Sequence, residues 1–226
     1  MIELNVISPS VMKLREIALK NNCGKDFINV FEVEKLSTFT KRLSRLVDKI
    51  DCTDYEFGKP LEECKNKIKG DMFELFTIFF FNSFKGDKDI LVNNIEWAKR
   101  DQIGYDFTAR SRKNTPVSIQ SKFIGNYNTE FDRGTLETFF GSQPEGYTRN
   151  VGERGRILIT TANPNKIHKY YVNEARNSGR DLLILCGGET HKIQGSNKYM
   201  IGIGRYVNGN LGFWNECKEI CLRIFK

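Results

Sequence analysis

The residues best suited to chemistry are Asp106, Gln120 and Lys122, in two segments of strand-like composition, IGYDFTAR at 103–110 and VSIQSKF at 117–123. Residues two apart in a strand face the same way, so Gln120 and Lys122 share a face. A turn through the basic loop between the segments brings Asp106 beside them across an antiparallel pair. The spacing therefore predicts a carboxylate, an amide and an amine at one end of a strand pair.

These three groups suit the hydrolysis of a phosphodiester bond, which needs an activated water and stabilisation of negative charge on the phosphoryl oxygens. Mg²⁺ serves both needs, because carboxylate and carbonyl oxygens bind it while positions stay open for water and phosphate. Asp106 is the natural direct ligand, and Gln120 can offer its amide oxygen. Lys122 can orient or deprotonate the water and help to neutralise the transition state. We expect Mg²⁺ as the cofactor, with Mn²⁺ able to replace it.

Glu74 is a fourth candidate, on a predicted helix upstream of the two strands. An apolar run follows it directly at 75–81, and an unpaired carboxylate in such surroundings is costly. Glu74 therefore needs a cation, a hydrogen-bond donor or a route to water. We expect it to add a second carboxylate to the cluster around Asp106, and the alternative is an ordinary salt bridge with a neighbour.

The strand motif also has a purely structural interpretation, since a glutamine and a lysine two residues apart occur in many basic strands. In that interpretation Lys122 extends to solvent, Gln120 bonds a neighbouring strand and Asp106 ends a turn. Gly104 before the aspartate and the apolar neighbours on both strands favour the chemical interpretation. Polar groups at buried strand positions need partners.

The N-terminal part of the chain is predicted to be a helical extension covering residues 1–65. Ser8-Pro9-Ser10 is typical of a helix start, and Ser37 or Thr38 is the expected cap of a second helix. Gly70 is expected to permit close approach of another backbone to a third helix. The three predicted helices cover residues 11–20, 37–50 and 60–84.

From Asp89 onward the hydrophobic pattern changes to that of strands. Strands are predicted first in succession and then in alternation with helices, which is typical of an α/β fold with a mixed central β-sheet flanked by helices. The predicted strands are 90–97, 103–110, 117–123, 156–161, 181–186 and 199–203. The predicted helices are 133–140, 165–177 and 214–225.

The composition indicates a globular protein with an anionic partner. The chain has 226 residues and a formal net charge of +7, which favours nucleic acid, although solubility alone is the alternative. No apolar run reaches the roughly 18 residues of a membrane span, and no signal peptide is evident. We therefore expect no membrane partner and a cytoplasmic or other intracellular location, in the host cell if the protein is encoded by a virus.

The six cysteines and two histidines do not form a recognisable metal-binding pattern. The cysteines are scattered, as is typical of reduced thiols. Cys217 and Cys221 lie four apart on a predicted helix and could ligate a metal, but buried small hydrophobic side chains are the favoured interpretation. His168 and His191 lack the spacing of a histidine-based nuclease and are expected at the surface or at helix ends.

The residues around Asp106, Gln120, Lys122 and Glu74 resemble the PD-(D/E)xK nuclease superfamily, specifically its Mrr-like restriction branch, where glutamine often replaces the first acidic residue of the final motif. The likeness runs from about residue 70 to residue 186, with Trp97, a helix at 135–140 and a strand at 156–161. Tyr105 stands in place of the proline that names the superfamily. The arrangement is also similar to the nuclease domain at the front of type ISP restriction enzymes, where a helicase follows.

This resemblance implies a restriction-endonuclease-like fold over residues 66–226, with Asp106, Gln120 and Glu74 as metal ligands and Lys122 as the catalytic lysine. It implies double-stranded DNA as the substrate. A homodimer is expected if both strands are cut by one active site per chain, and residues 1–65 are expected to read DNA or form that dimer. No helicase motif follows in this chain, so a separate helicase or ATPase is a further expected partner.

Two main hypotheses of function follow. The first is a divalent-metal-dependent DNA endonuclease that acts in restriction, defence or viral DNA degradation. The second is a DNA-binding module on a nuclease-like fold, inactive alone or reliant on a partner ATPase, because Gln120 brings no charge to a metal. RNA or tRNA processing on the same fold is a third alternative.

Overall fold

In the computed structural model, six strands form one mixed sheet in the order of the chain. The first three strands pair antiparallel and the last four pair parallel. The residues described are 8–98, 104–131, 134, 137–141, 154–178, 181–188 and 199–226. The expected α/β fold, with a mixed sheet flanked by helices, is confirmed.

The strands are β1 (Val92–Trp97), β2 (Phe107–Ser111), β3 (Pro116–Lys122), β4 (Arg156–Thr160), β5 (Leu182–Cys186) and β6 (Met200–Gly202). The helices are α1 (Pro9–Lys20), α2 (Gly24–Asn29), α3 (Leu36–Val47), α4 (Leu61–Ser83), α5 (Glu137–Gly141), α6 (Lys169–Asn177), α7 (Gly204–Val207) and α8 (Leu211–Ile224). A short 3-10 helix covers Pro164–Lys166.

The chain divides into two compact units, one formed by Met1–Phe76 with Tyr206–Lys226 and the other by Thr77–Arg205. The division therefore lies at residues 76 and 205, whereas the sequence suggested residue 65. Aromatic packing explains why the end of the chain joins the first unit. The rings of Phe27 and Phe225 stack at 5.1 Å between centroids, and Trp214 of α8 lies 5.9 Å from Phe39 of α3.

The sheet of the second unit has two differently covered faces. Register pairs Gln120 with Leu158 and Leu158 with Ile184, and both apolar residues belong to a core that includes Phe139 of α5 and Tyr171 of α6. The connections β3–α5–β4 and β4–α6–β5 both advance in the same direction across the sheet. Because crossovers between parallel strands are right-handed, both helices lie on that face. Ser121 points to the opposite face, where its hydroxyl lies 3.1 Å from the hydroxyl of Thr77 on α4.

The start of α3 differs from the predicted cap at Ser37 or Thr38. The helix begins at Leu36, and Lys35 at its N-cap position makes no side-chain capping bond. Instead, the Leu36 amide donates to Asn208 Oδ1 at 2.9 Å. The cap prediction is therefore wrong, because a distant asparagine satisfies the amide that a local serine or threonine usually satisfies.

Other expected elements change at their ends. The helix expected at 165–177 is interrupted at Ile167, which pairs with Phe131 in an isolated bridge, so that α6 begins only at Lys169.

Gly70 has no atom within 4 Å of a Cβ built on it, so the expected close approach of a backbone to this helix is wrong. Ile103 and residues 133, 135 and 136 of the predicted helix at 133–140 lie outside the described residues.

All six cysteines are free and buried, as the scattered pattern indicated. Cys217 and Cys221 are fully buried in α8, and burial raises the pKa of both thiols well above the ordinary value. They pack as small hydrophobic side chains. Over the described residues, no helix combines the length and apolar character needed to cross a membrane.

Gly187, just after β5, is predicted to be required by close backbone packing, whereas Gly70 in α4 is not. A Cβ at Gly187 would lie 2.3 Å from the Thr161 carbonyl oxygen, so Gly187→Ala should lower the free energy of unfolding by about 1–3 kcal/mol. Gly70→Ala should raise it by about 0.5–1 kcal/mol through better helix propensity. Urea unfolding measures both, and equal stability of the two variants would contradict this packing.

Candidate active site

The candidate site lies where the parallel strands end. Strands β3 to β6 run the same way, so their carboxyl ends form one edge of the sheet, the usual place for a ligand in such sheets. Lys122 is the last residue of β3. Because β2 runs antiparallel to β3, Asp106 just before β2 reaches the same edge.

Backbone bonds on both sides hold Asp106 in place. Its amide donates to Ile119 O at 2.9 Å, and its carbonyl accepts from Ala98 N at 2.9 Å. Gly104 has φ +95°, a value that favours glycine, and the strand begins only at Phe107. The predicted strand at 103–110 is therefore shorter at its start, because the chain turns at Gly104 before Asp106 enters the sheet.

Asp106 and Gln120 meet as the sequence predicted. Asp106 Oδ2 accepts from Gln120 Nε2 at 2.6 Å and from the Ser121 amide at 2.7 Å. Gln120 Nε2 also donates to Ser121 O at 3.2 Å. Both side chains are half-buried. A single carboxylate oxygen thus fixes the amide of Gln120 against the edge of the sheet.

Lys122 lies two residues beyond Gln120 and on the same face of β3. The chain after it is clamped to β4, because the Thr161 hydroxyl accepts from Ile124 N at 2.7 Å and donates to Ile124 O at 2.9 Å. The side chain of Lys122 is half-buried. Within the described ranges, no carboxylate pairs with its ammonium group. The charge is therefore available to an anionic ligand.

Glu74 lies on α4 in the first unit and is half-buried. Burial, Asp71 and then Glu74 raise the pKa of Tyr55 far above its ordinary value. Tyr55 donates to the fully buried Asp71 at 2.6 Å, and Lys67 also bonds that carboxylate. Asp106, Gln120 and Lys122 belong to the second unit, so a shared metal site with Glu74 stays a prediction.

The donor set at the edge fits a hard divalent cation held by few charges. No group of three or more histidine, cysteine, aspartate or glutamate side chains that could hold a metal occurs among the residues described. Asp106 supplies one carboxylate, while Gln120 turns its amide nitrogen toward it. A half-turn of that amide presents Oε1 in place of Nε2, because the two ends of the group have nearly the same shape.

Sequence reasoning missed an exposed aromatic residue, Tyr127, near this edge. The loop after β3 pairs with the segment after β4, since Phe131 N donates to Lys166 O at 2.9 Å and His168 N donates to Phe131 O at 3.0 Å. Tyr127 in that loop is 47% exposed, which leaves its ring open for stacking. Burial, and then the Cys186 thiol at the end of β5, raise the pKa of Tyr127. The sequence feature that could have indicated this ring is a tyrosine soon after Lys122.

The histidines take no part in this cluster as far as the structure describes them. His168 caps α6, where Nδ1 accepts from Tyr170 N at 3.2 Å, which confirms the expected helix-end position. His191 lies outside the described residues.

Comparisons with protein-family models, curated proteins and solved structures found no match to this chain.

Asp106→Ala should destabilise the protein more than Asp106→Asn. Alanine leaves the Ser121 amide and the Gln120 amide without their acceptor, which costs about 1–3 kcal/mol. Asparagine keeps one oxygen, which can take the place of Oδ2 and accept from both the Ser121 amide and the Gln120 amide. Urea unfolding of both variants measures the difference, and equal destabilisation would mean that these bonds contribute little.

Proposed function

We propose that the chain is a divalent-metal-dependent endodeoxyribonuclease that acts in restriction, defence or degradation of viral DNA. The observation that carries the proposal is the 2.6 Å contact between Asp106 and Gln120 at the carboxyl edge, with Lys122 on the same strand face. A carboxylate and an amide oxygen that could hold a cation, with an amine beside them, are groups that can support hydrolysis of a phosphodiester.

Each residue has a distinct role in this proposal. Asp106 and Gln120 would hold Mg²⁺ or Mn²⁺, with Glu74 as a further proposed ligand. A cation held by these residues would supply polarisation of a phosphoryl oxygen and a lower pKa for a bound water. Lys122 orients the attacking water and stabilises the negative charge that builds on phosphate, and its lack of a carboxylate partner among the described residues suits that task.

The surroundings support a nucleic acid as substrate. The chain carries a net charge of +7, and exposed Lys166 and Lys169 lie in the segment after β4. Exposed lysines such as these can bind phosphates of the nucleic-acid backbone away from the phosphodiester bond that is hydrolysed. Exposed Tyr127 offers a ring on which a base can stack.

A second candidate function is a DNA-binding module that cleaves only with a partner ATPase or not at all. Two observations favour it. Gln120 adds no charge, and its Nε2 rather than Oε1 faces Asp106. In the described ranges, no group of three or more aspartate, glutamate, histidine or cysteine side chains forms a metal-binding cluster. Metal affinity resting on one carboxylate is then too low for hydrolysis by this chain alone.

Lys122→Ala and Asp106→Asn should each lower the rate of DNA cleavage by about 100-fold or more, because each removes a group that acts on the water or the metal. The measurement is the conversion of supercoiled plasmid, with and without methylated bases, in Mg²⁺, in Mn²⁺ and in EDTA. Parallel digestion of RNA tests whether the substrate is DNA.

Lys88→Ala is the matched control, since it removes one exposed lysine of the second unit that lies before β1, outside both the Asp106 cluster and the segment after β4. It should leave the cleavage rate at saturating DNA unchanged. If wild-type protein with either metal cuts neither plasmid, the endonuclease proposal fails for the chain by itself. Salt-sensitive DNA binding by the same preparation would then favour the second candidate.

Gln120→Glu should turn the pair into two carboxylates that repel at close range. Like charges at this distance destabilise the folded state, so the Tm in EDTA should fall by several degrees. Mg²⁺ or Mn²⁺ between the two groups should restore it, and more strongly than in wild type. Thermal unfolding with and without metal gives both values.

The control for this variant is Gln120→Met, which has a similar volume and no oxygen. It should show no rise in Tm with metal. If neither cation changes the Tm of the Gln120→Glu protein, Asp106 and Gln120 are not metal ligands. Faster cleavage by Gln120→Glu would identify the neutral amide as the feature that limits hydrolysis.

A further inference from the structure

A concave basic surface lies in the first unit, well separated in sequence from the candidate active site. It encloses about 480 Å³ beside α2 and α3, and we call it the α3 groove. This volume lies within the range of small-ligand sites in proteins. Its polar lining residues are Asn21, Asp26, Asn29, Arg42, Arg45 and Lys49.

Three cations of the groove come from one side of α3 and the turn that follows it. Arg42, Arg45 and Lys49 are spaced by three and four residues, the spacing at which side chains on a helix are neighbours. Asp26 is the one acidic side chain in the described lining. Burial, and then Asp26, raise the pKa of the Cys23 thiol, which therefore adds no negative charge near neutral pH. The lining is net positive.

Arg42 is held in position by the backbone. Its Nη1 donates to Asn29 O at 2.9 Å and to Glu32 O at 2.6 Å, which are carbonyls at the end of α2 and in the turn after it. A guanidinium fixed in this way loses little further freedom when it bonds a ligand. It also fixes the shape of the groove, because the same contacts join α3 to the end of α2.

Arg45 and Lys49 differ from six of the twelve lysines of the first unit. Among the described residues, neither pairs with a carboxylate. Six lysines in this unit do form such pairs, and they are Lys13, Lys20, Lys59, Lys65, Lys67 and Lys218. The dipole of α3 favours cations near the C-terminal end of the helix, but it does not explain why three of them line one groove. The groove therefore presents positive charge that the described fold leaves unneutralised.

We propose that the α3 groove binds phosphate groups, and that their source is the sugar-phosphate backbone of a nucleic acid. Arginine and lysine together give bidentate and point contacts to phosphate oxygens. Asn29 adds an amide at the rim. The groove would thus anchor nucleic acid through the first unit, whatever reaction takes place at the sheet edge.

The test compares DNA binding by Arg45→Ala/Lys49→Ala with binding by wild type, measured as fluorescence anisotropy of a labelled duplex in EDTA over a range of salt. Arg42 is left intact because its backbone contacts stabilise the unit. Loss of two phosphate contacts should reduce the slope of log K against log salt by about 2. Affinity at moderate salt should fall about tenfold or more.

The matched control is Arg15→Ala/Lys35→Ala, which removes one exposed arginine and one exposed lysine of the same unit outside the groove. It should keep the wild-type slope and affinity. Circular dichroism and thermal unfolding establish that both double variants are folded. Since EDTA prevents metal-dependent cleavage, the result does not depend on the nuclease proposal. Lys122→Ala, by contrast, tests cleavage alone.

Calorimetry with inorganic tripolyphosphate distinguishes the source of the phosphate. If the groove variant binds DNA normally but has lost tripolyphosphate binding that wild type shows, the groove is a phosphate site for a free ligand, and the nucleic-acid source is wrong. If the groove variant matches wild type for both ligands, the proposal is overturned. An equal loss of DNA binding in the control variant also overturns it, because total charge would then explain the effect.

Discussion

Strand β3 is the element on which the rest of the site depends, because it pairs antiparallel with β2 on one side and parallel with β4 on the other. The antiparallel pair brings Asp106 to Gln120, and the parallel pair places Lys122 among strand ends that all face one way. A strand paired on both sides also has no free edge and holds its side chains in fixed register. The polar groups of Gln120 and Lys122 are therefore presented by the most constrained part of the sheet.

The contact between Asp106 and Gln120 sets the electrostatic character of the edge. A carboxylate that accepts from an amide and from a main-chain N–H is held in one orientation. A glutamate at position 120 would supply more charge at the cost of repulsion. The glutamine gives a preorganised pair that forms without a cation. Stability of this pair and affinity for the proposed cation would therefore favour different residues at position 120.

The sequence predicted the elements whose contacts are local or follow from strand period. The six strands, the helix start at Ser8 and the meeting of Asp106 with Gln120 all depend on spacing along short segments. What it could not predict depends on residues far apart in the chain. Asn208 caps α3 across 172 positions, and Phe131 stops a helix by pairing with Ile167. Local propensity carries no information on either partner, nor on the bonds that join Phe131, in the loop of Tyr127, to Lys166 and His168.

The composition of the first unit from both ends of the chain has a consequence for synthesis on the ribosome. Residues 77–205 are contiguous and can fold as soon as they emerge, whereas the first unit needs segments separated by that whole stretch. The Leu36 amide can donate to Asn208 only after residue 208 has been synthesised. Gly24 can approach Phe225 only after α8 has left the exit tunnel. Contacts of such long sequence separation form late and slowly. The nascent chain can therefore complete its sheet before the N-terminal helices make their contacts with residues 208 and 225.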